Sequence, residues 1–198
     1  MSSPINALIN LKRLDVGDGI VMRPVRMYHG EEIYAAVVAN RQSLSKWLPW
    51  VPGVNSIADE RNFIRASMDH HEAGQVIWLG IWVHGTFAGV TGLHEIDWVN
   101  RRTSIGYWLA GHARGRGVMT ACVKTLTDFA LCELDLNRVE IRCAVGNAPS
   151  RAIPERLGYE TEGVAREDMV VGGRVIDLIV YAALAREWRC GGVPEATT

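Results

Sequence analysis

Residues 105–133 read IGYWLAGHARGRGVMTACVKTLTDFALCE, and the turn inside them decides the fold. From Thr103 to Leu109 the residues are aromatic and branched, a strand signal. Beyond the glycines, Met119, Cys122, Val123, Leu126, Phe129 and Ala130 recur at helical spacing. A strand therefore runs through a glycine loop, Arg114-Gly115-Arg116-Gly117-Val118-Met119, into a helix. Glycine lets the backbone turn its N–H groups outward, and the helix start adds partial positive charge, so such a loop suits phosphates. The expected ligand is a pyrophosphate. A dinucleotide fingerprint would need a third glycine where Thr120 stands, and no Gly-Lys-Ser/Thr of a P-loop follows. By itself, Gly-x-Gly is equally compatible with an ordinary strand-to-helix turn.

On the N-terminal side, residues 1–13 show no clear period and read as a partly ordered arm. Ile20 to Val25 alternates as a first strand, and Ile33, Tyr34, Val37 and Val38 give Glu31 to Val38 the spacing of an amphipathic helix. Arg41 to Pro52 is a connector carrying Leu44, Trp47, Leu48 and Trp50 among proline breaks, open to reading as a core-covering flap or as a ligand wall. A second helix begins at Ile57 and ends near Gly74. Val76 to Val83 and Phe87 to His94 form a hairpin across His84-Gly85-Thr86.

On the C-terminal side, Arg138 to Val145 alternates as a half-buried strand. Asn147-Ala148-Pro149-Ser150 starts a short helix ending at Gly158, with Pro154 allowing only a turn or two, or a kink. Tyr159 to Met169 and Val175 to Ala183 are strands joined by Gly172-Gly173, the second apolar enough to be central. The order βααβββαβαββ describes one α/β domain over residues 14–189, with seven strands in a mixed sheet and a flexible tail at 190–198.

The chain has 198 residues with 48% hydrophobic content, enough for one domain with a real core. A net charge of −1 provides no overall basic field for nucleic acid or an anionic membrane surface. Neither a secretion signal nor a bilayer-length apolar run is visible, which predicts a cytoplasmic location. Four cysteines, Cys122, Cys132, Cys143 and Cys190, lack CxxC spacing and are expected to be reduced. His70 and His71 point to different sides of a helix, and His29, His84, His94 and His112 have no ligand spacing, so no metal is expected.

The order Arg-x-x-Gly-x-small at Arg114 to Met119 resembles the acetyl-CoA loop of the GNAT N-acetyltransferase superfamily, with Met119 where that pattern has Gly or Ala. Leu44-Ser45-Lys46-Trp47-Leu48-Pro49-Trp50, Ile105-Gly106-Tyr107-Trp108-Leu109, Leu136-Asn137-Arg138-Val139-Glu140, Asn147 to Ile153 with Leu157-Gly158-Tyr159, and the closing hairpin are similar, in order, to its RimJ/RimL branch of ribosomal-protein N-terminal acetyltransferases. The resemblance implies a mostly antiparallel sheet, splayed between the fourth and fifth of the seven strands, with the co-substrate acetyl-CoA in the opening. It places the backbone of Tyr107, Trp108 and Leu109 against the pantetheine arm and Arg114, Gly115, Arg116, Gly117, Val118 and Met119 at the pyrophosphate. Asn147 would hydrogen-bond the pantetheine, a residue that on its own reads equally as a helix cap.

Thioester aminolysis needs a neutral amine, a polarised carbonyl and a proton for the leaving thiolate. Backbone N–H groups of the splayed strand can polarise the carbonyl. Many family members use a tyrosine as proton donor; Pro154 stands in the corresponding place, and resemblance to the RimL type turns the role to Ser150, also a contact for the co-substrate. For the base, Glu95 can act through water, and Glu167 lies near the RimL glutamate, whose register falls on Met169. An α-amine has a reference pKa of about 7.7–8.0 against about 10.4 for lysine, so a weakly defined base favours a protein N-terminus as acceptor. Trp47 and Trp50, stiffened by Pro49 and Pro52, are expected to shape its groove. A small amine or polyamine acceptor, or a non-catalytic acyl-CoA-binding module, are the alternatives. A homo-oligomer is compatible with the sequence.

Overall fold

A computed structural model describes residues 3–190. Eight strands form one sheet in the order β1-β2-β3-β4-β5-β6-β8-β7. They are β1 (Leu14–Gly17), β2 (Ile20–Pro24), β3 (Ile77–Val83), β4 (Thr86–Asp97), β5 (Arg102–Leu109), β6 (Arg138–Ala144), β7 (Glu160–Val171) and β8 (Arg174–Leu184). The helices are α1 (Pro4–Ile9), α2 (Gly30–Leu44), α3 (Ile57–Glu72), α4 (Val118–Asp128) and α5 (Ala148–Arg156). Every neighbouring pair is antiparallel except β5–β6. The expected seven strands become eight because β1, only four residues long, folds back on β2 with too few residues for a period to show.

The splay is where β5 meets β6. They pair in parallel only from Arg102 to Ser104 against Arg138 to Glu140, and then diverge. The other edge of β5 stays paired with β4 as far as Leu109. Backbone groups of Ile105 to Leu109 that point away from β4 therefore face an opening instead of a strand. β8, apolar as a central strand should be, sits between β6 and β7.

Two cores pack on the two faces. One gathers Val118, Cys122, Val123 and Leu126 of α4 with Val139, Ile141 and Cys143 of β6, Ile105 of β5 and Ile153 of α5. The other gathers Ile33 and Val37 of α2 and Ile64 of α3 with Trp82, Phe87, Val90 and Trp108. Strand alternation sorts the residues: Val139, Ile141 and Cys143 go to the first face, while Glu140, Arg142 and Ala144 go to the second.

Three local expectations are corrected. Residues 4–9, read as part of an arm, form a helix started by Ser3 and Pro4. It is held by burial of Leu8, whose carbonyl lies 2.9 Å from His71 Nε2. α2 runs on to Leu44 and absorbs part of the connector, because Arg41 on its last turn bonds the carbonyls of Val51 and Val54 and folds the connector back against the helix. Cys132 and Cys190, expected as thiols, form a disulfide across 58 residues, since the chain leaving β8 returns to the end of α4. Spacing carries no trace of such tertiary proximity. Cys122 and Cys143 are free and buried. The rest of the expected tail, 191–198, lies outside the described residues.

Candidate active site

The glycine loop opens α4 without a side-chain cap. Gly115 and Gly117 have φ of 72° and 76°, the left-handed region that favours glycine, and Gly117 occupies the N-cap with no side chain to offer. Its carbonyl accepts the first helical bond, from the N–H of Ala121 at 3.0 Å, which leaves the N–H groups of the first turn directed outward. Arg114 braces the loop: its Nε donates to the Leu109 carbonyl at 2.9 Å and a terminal nitrogen to Ser43 Oγ at 3.2 Å. Asn40 Oδ1 accepts from the Gly111 N–H at 2.8 Å, tying α2 to the same turn.

Above the loop lies a cavity of about 900 Å³ that reaches the open edge of β5 at Tyr107, Trp108 and Leu109. Its charged lining is Lys46, Arg114, Lys124 and Arg156, with no carboxylate among the lining residues. Arg156 donates to Thr120 Oγ1 at 2.8 Å, bringing the end of α5 to the start of α4. A cationic wall, an uncapped helix start and an unpaired strand edge in one cavity fit a nucleotide diphosphate carrying an amide-bearing arm. Sequence reasoning missed Lys46, Lys124 and Arg156, which come from three helices or their ends and share no motif.

A second cavity, about 450 Å³, lies on the other face of the sheet against β4, β5 and β6. His94, Glu95, Ser104, Glu140, Arg142 and Met169 are among its lining residues. Burial alone would raise the Glu140 carboxyl, but hydrogen bonds from Arg138 and Arg142 outweigh it and keep Glu140 below its ordinary value. Glu95 is exposed at a bulge in β4, with φ of 55°. Burial lowers the His94 imidazole, against a smaller opposing effect of Glu95.

The two cavities share Trp47, Leu48, Tyr107, Asn147 and Ser150 as walls, so they meet through the opening between β5 and β6. Ser150 Oγ lies 3.3 Å from the Tyr107 hydroxyl and 3.2 Å from Cys143 Sγ. The Tyr107 hydroxyl donates in turn to the Ser150 carbonyl at 3.0 Å. That carbonyl is available because Pro154, four residues on, has no N–H to donate to it. Pro154 thus stays inside a short, nine-residue helix and hands Tyr107 an acceptor. Burial raises the Tyr107 phenol well above its ordinary value and raises the Cys143 thiol, so both stay neutral. Asn147 caps α5 through Oδ1, 3.4 Å from the Ser150 N–H. With the oxygen on the cap, its NH₂ is the group left to offer a ligand.

The structure therefore gathers Tyr107, Trp108, Leu109, Arg114, Gly115, Gly117, Val118, Met119, Asn147 and Ser150 around one opening, together with Trp47 and, on the far side, Glu95. Three expected residues stand apart. Arg116 is exposed on the loop and lines neither cavity. Trp50 lines neither cavity and packs its ring 6.5 Å from that of Trp108. Glu167, at an irregularity of β7, lies outside both, its N–H bonded to Asp177 Oδ1 at 2.8 Å; Met169, two residues on, takes the place by the cavity. The turn at Glu167, with φ of 54°, shifts the strand register, which no residue pattern announces.

Residues 20–160, more than half of the chain, match the acetyltransferase (GNAT) domain family. The chain belongs to the GNAT acetyltransferases. This GNAT protein is 38% identical over 174 residues to the putative ribosomal N-acetyltransferase YdaF of Bacillus subtilis (strain 168), spanning 87% of this chain and 95% of that one. Its fold superposes with a TM-score of 0.85 on RimL, the ribosomal L7/L12 α-N-protein acetyltransferase in complex with coenzyme A, at 25% identity over 87% of this chain and 98% of that one. It also superposes at 0.84 on the microcin C7 self-immunity acetyltransferase MccE in complex with acetyl-CoA and AMP, at 27% identity over 90% and 99% of the two chains. It is thus an acyltransferase of the RimJ/RimL-like type, with a mixed, mostly antiparallel sheet splayed as the family requires. No group of three or more His, Cys, Asp and Glu side chains is placed to hold a metal among the described residues. None of their helices is long and apolar enough to cross a membrane.

Proposed function

We propose that this chain transfers the acetyl group of acetyl-CoA to the N-terminal α-amine of a protein, by direct transfer in a ternary complex. The observation that carries the reading is the meeting of two cavities at Ser150, one cationic with an uncapped helix start, the other open on the opposite face. The loop N–H groups with Lys46, Arg114 and Arg156 hold the pyrophosphate, Lys124 being already paired with Asp128 at 2.8 Å, and the free edge of β5 pairs with the pantetheine arm. The amine enters from the opposite face. Backbone N–H groups of β5 stabilise the charge that grows on the carbonyl oxygen. Ser150 Oγ protonates the departing sulfur and takes a proton back from cavity water, while the Tyr107 hydroxyl holds the serine in place.

The acceptor class rests on two points. The relative RimL is named for α-N-acetylation of a ribosomal protein, and the lining of the second cavity is not strongly acidic: Glu140 is already neutralised by Arg138 and Arg142, leaving Glu95 as a lone exposed carboxylate. A polyamine would need more unpaired carboxylates than that. Of the two carboxylates expected to assist as base, Glu95 stands where the amine enters and Glu167 does not. A panel measuring acetyl-CoA consumption with N-terminal peptides, lysine peptides and polyamines tests the reading. Peptide α-amines should react fastest, and a preference for a polyamine would replace the acceptor assignment. Binding of acetyl-CoA with no turnover on any amine would make the chain a binding module.

A further inference from the structure

Among the described residues, one buried side-chain nitrogen has no hydrogen-bond partner: His94 Nε2. Such an orphan in a folded chain calls for a reason. The ring is clamped against Trp78, with centroids 4.9 Å apart at 22°, and it fits only because residue 106 is glycine, where a Cβ would come within 2.4 Å of Nε2. With Nε2 shut in, the ring communicates through Nδ1, which lies 3.2 Å from Ser104 Oγ. The His94 carbonyl already has a donor in Thr103 Oγ1 at 2.9 Å and is a longer 3.4 Å from Ser104, so the Ser104 hydroxyl is best placed for the ring. Ser104 and His94 both line the cavity opposite the glycine loop, on the face from which the amine would come.

We propose that Ser104 and His94 together accept the proton of the attacking amine. This rests on the acetyl-transfer reading above. As the amine nitrogen forms its bond to the carbonyl carbon, its N–H bond breaks toward Ser104 Oγ, directly or through one water. The Ser104 O–H proton passes at the same time to Nδ1, which accepts in the tautomer that carries its hydrogen on Nε2. The ring becomes imidazolium, the serine stays neutral, and the proton returns through Ser104 to cavity water after the product leaves. His94 acts through Ser104 as the group that holds the proton. The neighbours of the ring suit the role. Trp78 from β3 and Ser104 and Gly106 from β5 are uncharged, Glu95 follows on its own strand, and across the cavity Glu140 is paired with Arg142. Burial outweighs Glu95, so the imidazole is neutral and ready to accept at pH 7.

The test uses the full chain with acetyl-CoA and a peptide bearing an N-terminal serine, following CoA release between about pH 5 and 9. Wild type should show a kcat that falls on the acid side with a limb below 6.5, the ordinary histidine value. Ser104→Ala should lower kcat by about tenfold to a hundredfold and remove that limb. Ser104→Thr, which keeps the hydroxyl, should restore both, with CoA affinity unchanged in each by calorimetry. His94→Gln should behave like Ser104→Ala; if it fails to fold, the Ala/Thr pair still decides. Full kcat and an unmoved limb in Ser104→Ala overturn the inference, as does loss of the limb in Glu95→Gln alone. Should the wild-type chain acetylate no amine at all, the acetyl-transfer reading falls and this inference with it.

Discussion

The two cavities lie on opposite faces of one sheet and share five wall residues, yet they are built in different ways. The cavity over the glycine loop takes its central part from one continuous stretch, β5 through the loop into α4, and its charged lining is all cationic. The opposite cavity draws its lining from five strands, β4 to β8, together with the start of α5 and the connector after α2, and it mixes Glu95 and Glu140 with Arg142. A whole-chain charge of −1 hides this segregation. The difference teaches that binding a constant group, a pyrophosphate, can be encoded locally in backbone N–H groups. Recognising a variable group requires side chains assembled from distant strands.

The largest expected effect sits on the local side. Gly117→Glu should abolish CoA binding by calorimetry, because it forces a side chain into a φ of 76° and adds negative charge where the phosphates belong. A Cβ at 117 would meet nothing within 4 Å, so backbone geometry and charge, not crowding, carry the effect. Unchanged affinity would break the assignment of the loop.

At the junction of the cavities, Ser150→Ala should lower kcat by roughly tenfold to a few hundredfold with CoA affinity nearly intact. Full kcat would return Ser150 to a helix-start hydroxyl, and lost affinity would make it a contact for the co-substrate.

A third test concerns the helices over the opposite face. Glu60 is buried on α3, and burial pushes its carboxyl from 4.5 up to about 7. In that window the folded chain keeps a proton that the unfolded chain has released, so the contribution of Glu60 to stability falls as pH rises from 4.5 to about 7. Glu60→Gln should therefore stabilise the fold at pH 8 by about 1–3 kcal/mol, with little gain at pH 5, in urea denaturation. CoA affinity should not move, and an equal gain at both pH values would sink the account.

The smallest effects separate the two tryptophans. Trp47 lines both cavities, and its ring lies against Gly146, where a Cβ would sit 3.5 Å from it. Trp47→Ala should raise the KM for a peptide acceptor by about three- to tenfold with less effect on the KM for acetyl-CoA. Trp50→Ala should change either KM by less than about twofold and cost about 1 kcal/mol of stability through its contact with Trp108. Reversed behaviour in steady-state kinetics would move the acceptor groove toward Trp50.

How much was legible follows the same division. The strand, glycine turn and helix at 103–130 are visible because their signals, alternation, φ-permissive residues and helical spacing, are local. Asn147 and Ser150 are visible for the same reason, as the start of a short helix. Glu167 misleads because a bulge in β7 shifts which residue meets a cavity, and Trp50 because its ring packs beside Trp108 instead of lining either one. The Tyr107 hydroxyl, Cys143 and Ser150 come together across 36 and 43 residues of chain, a proximity created only when α5 packs on β6 beside the opening.

By itself the sequence determined the order of elements, the phosphate-holding turn and the parity of each strand, since all three depend on short-range sterics and on the burial of alternating apolar side chains. Only the tertiary structure decided the rest: the eighth strand, the disulfide, the cationic wall made by Lys46, Arg114, Lys124 and Arg156, and the buried pairing of His94 with Ser104. Those features join residues whose separation along the chain is bridged by packing, and packing depends on the shapes of all the elements at once.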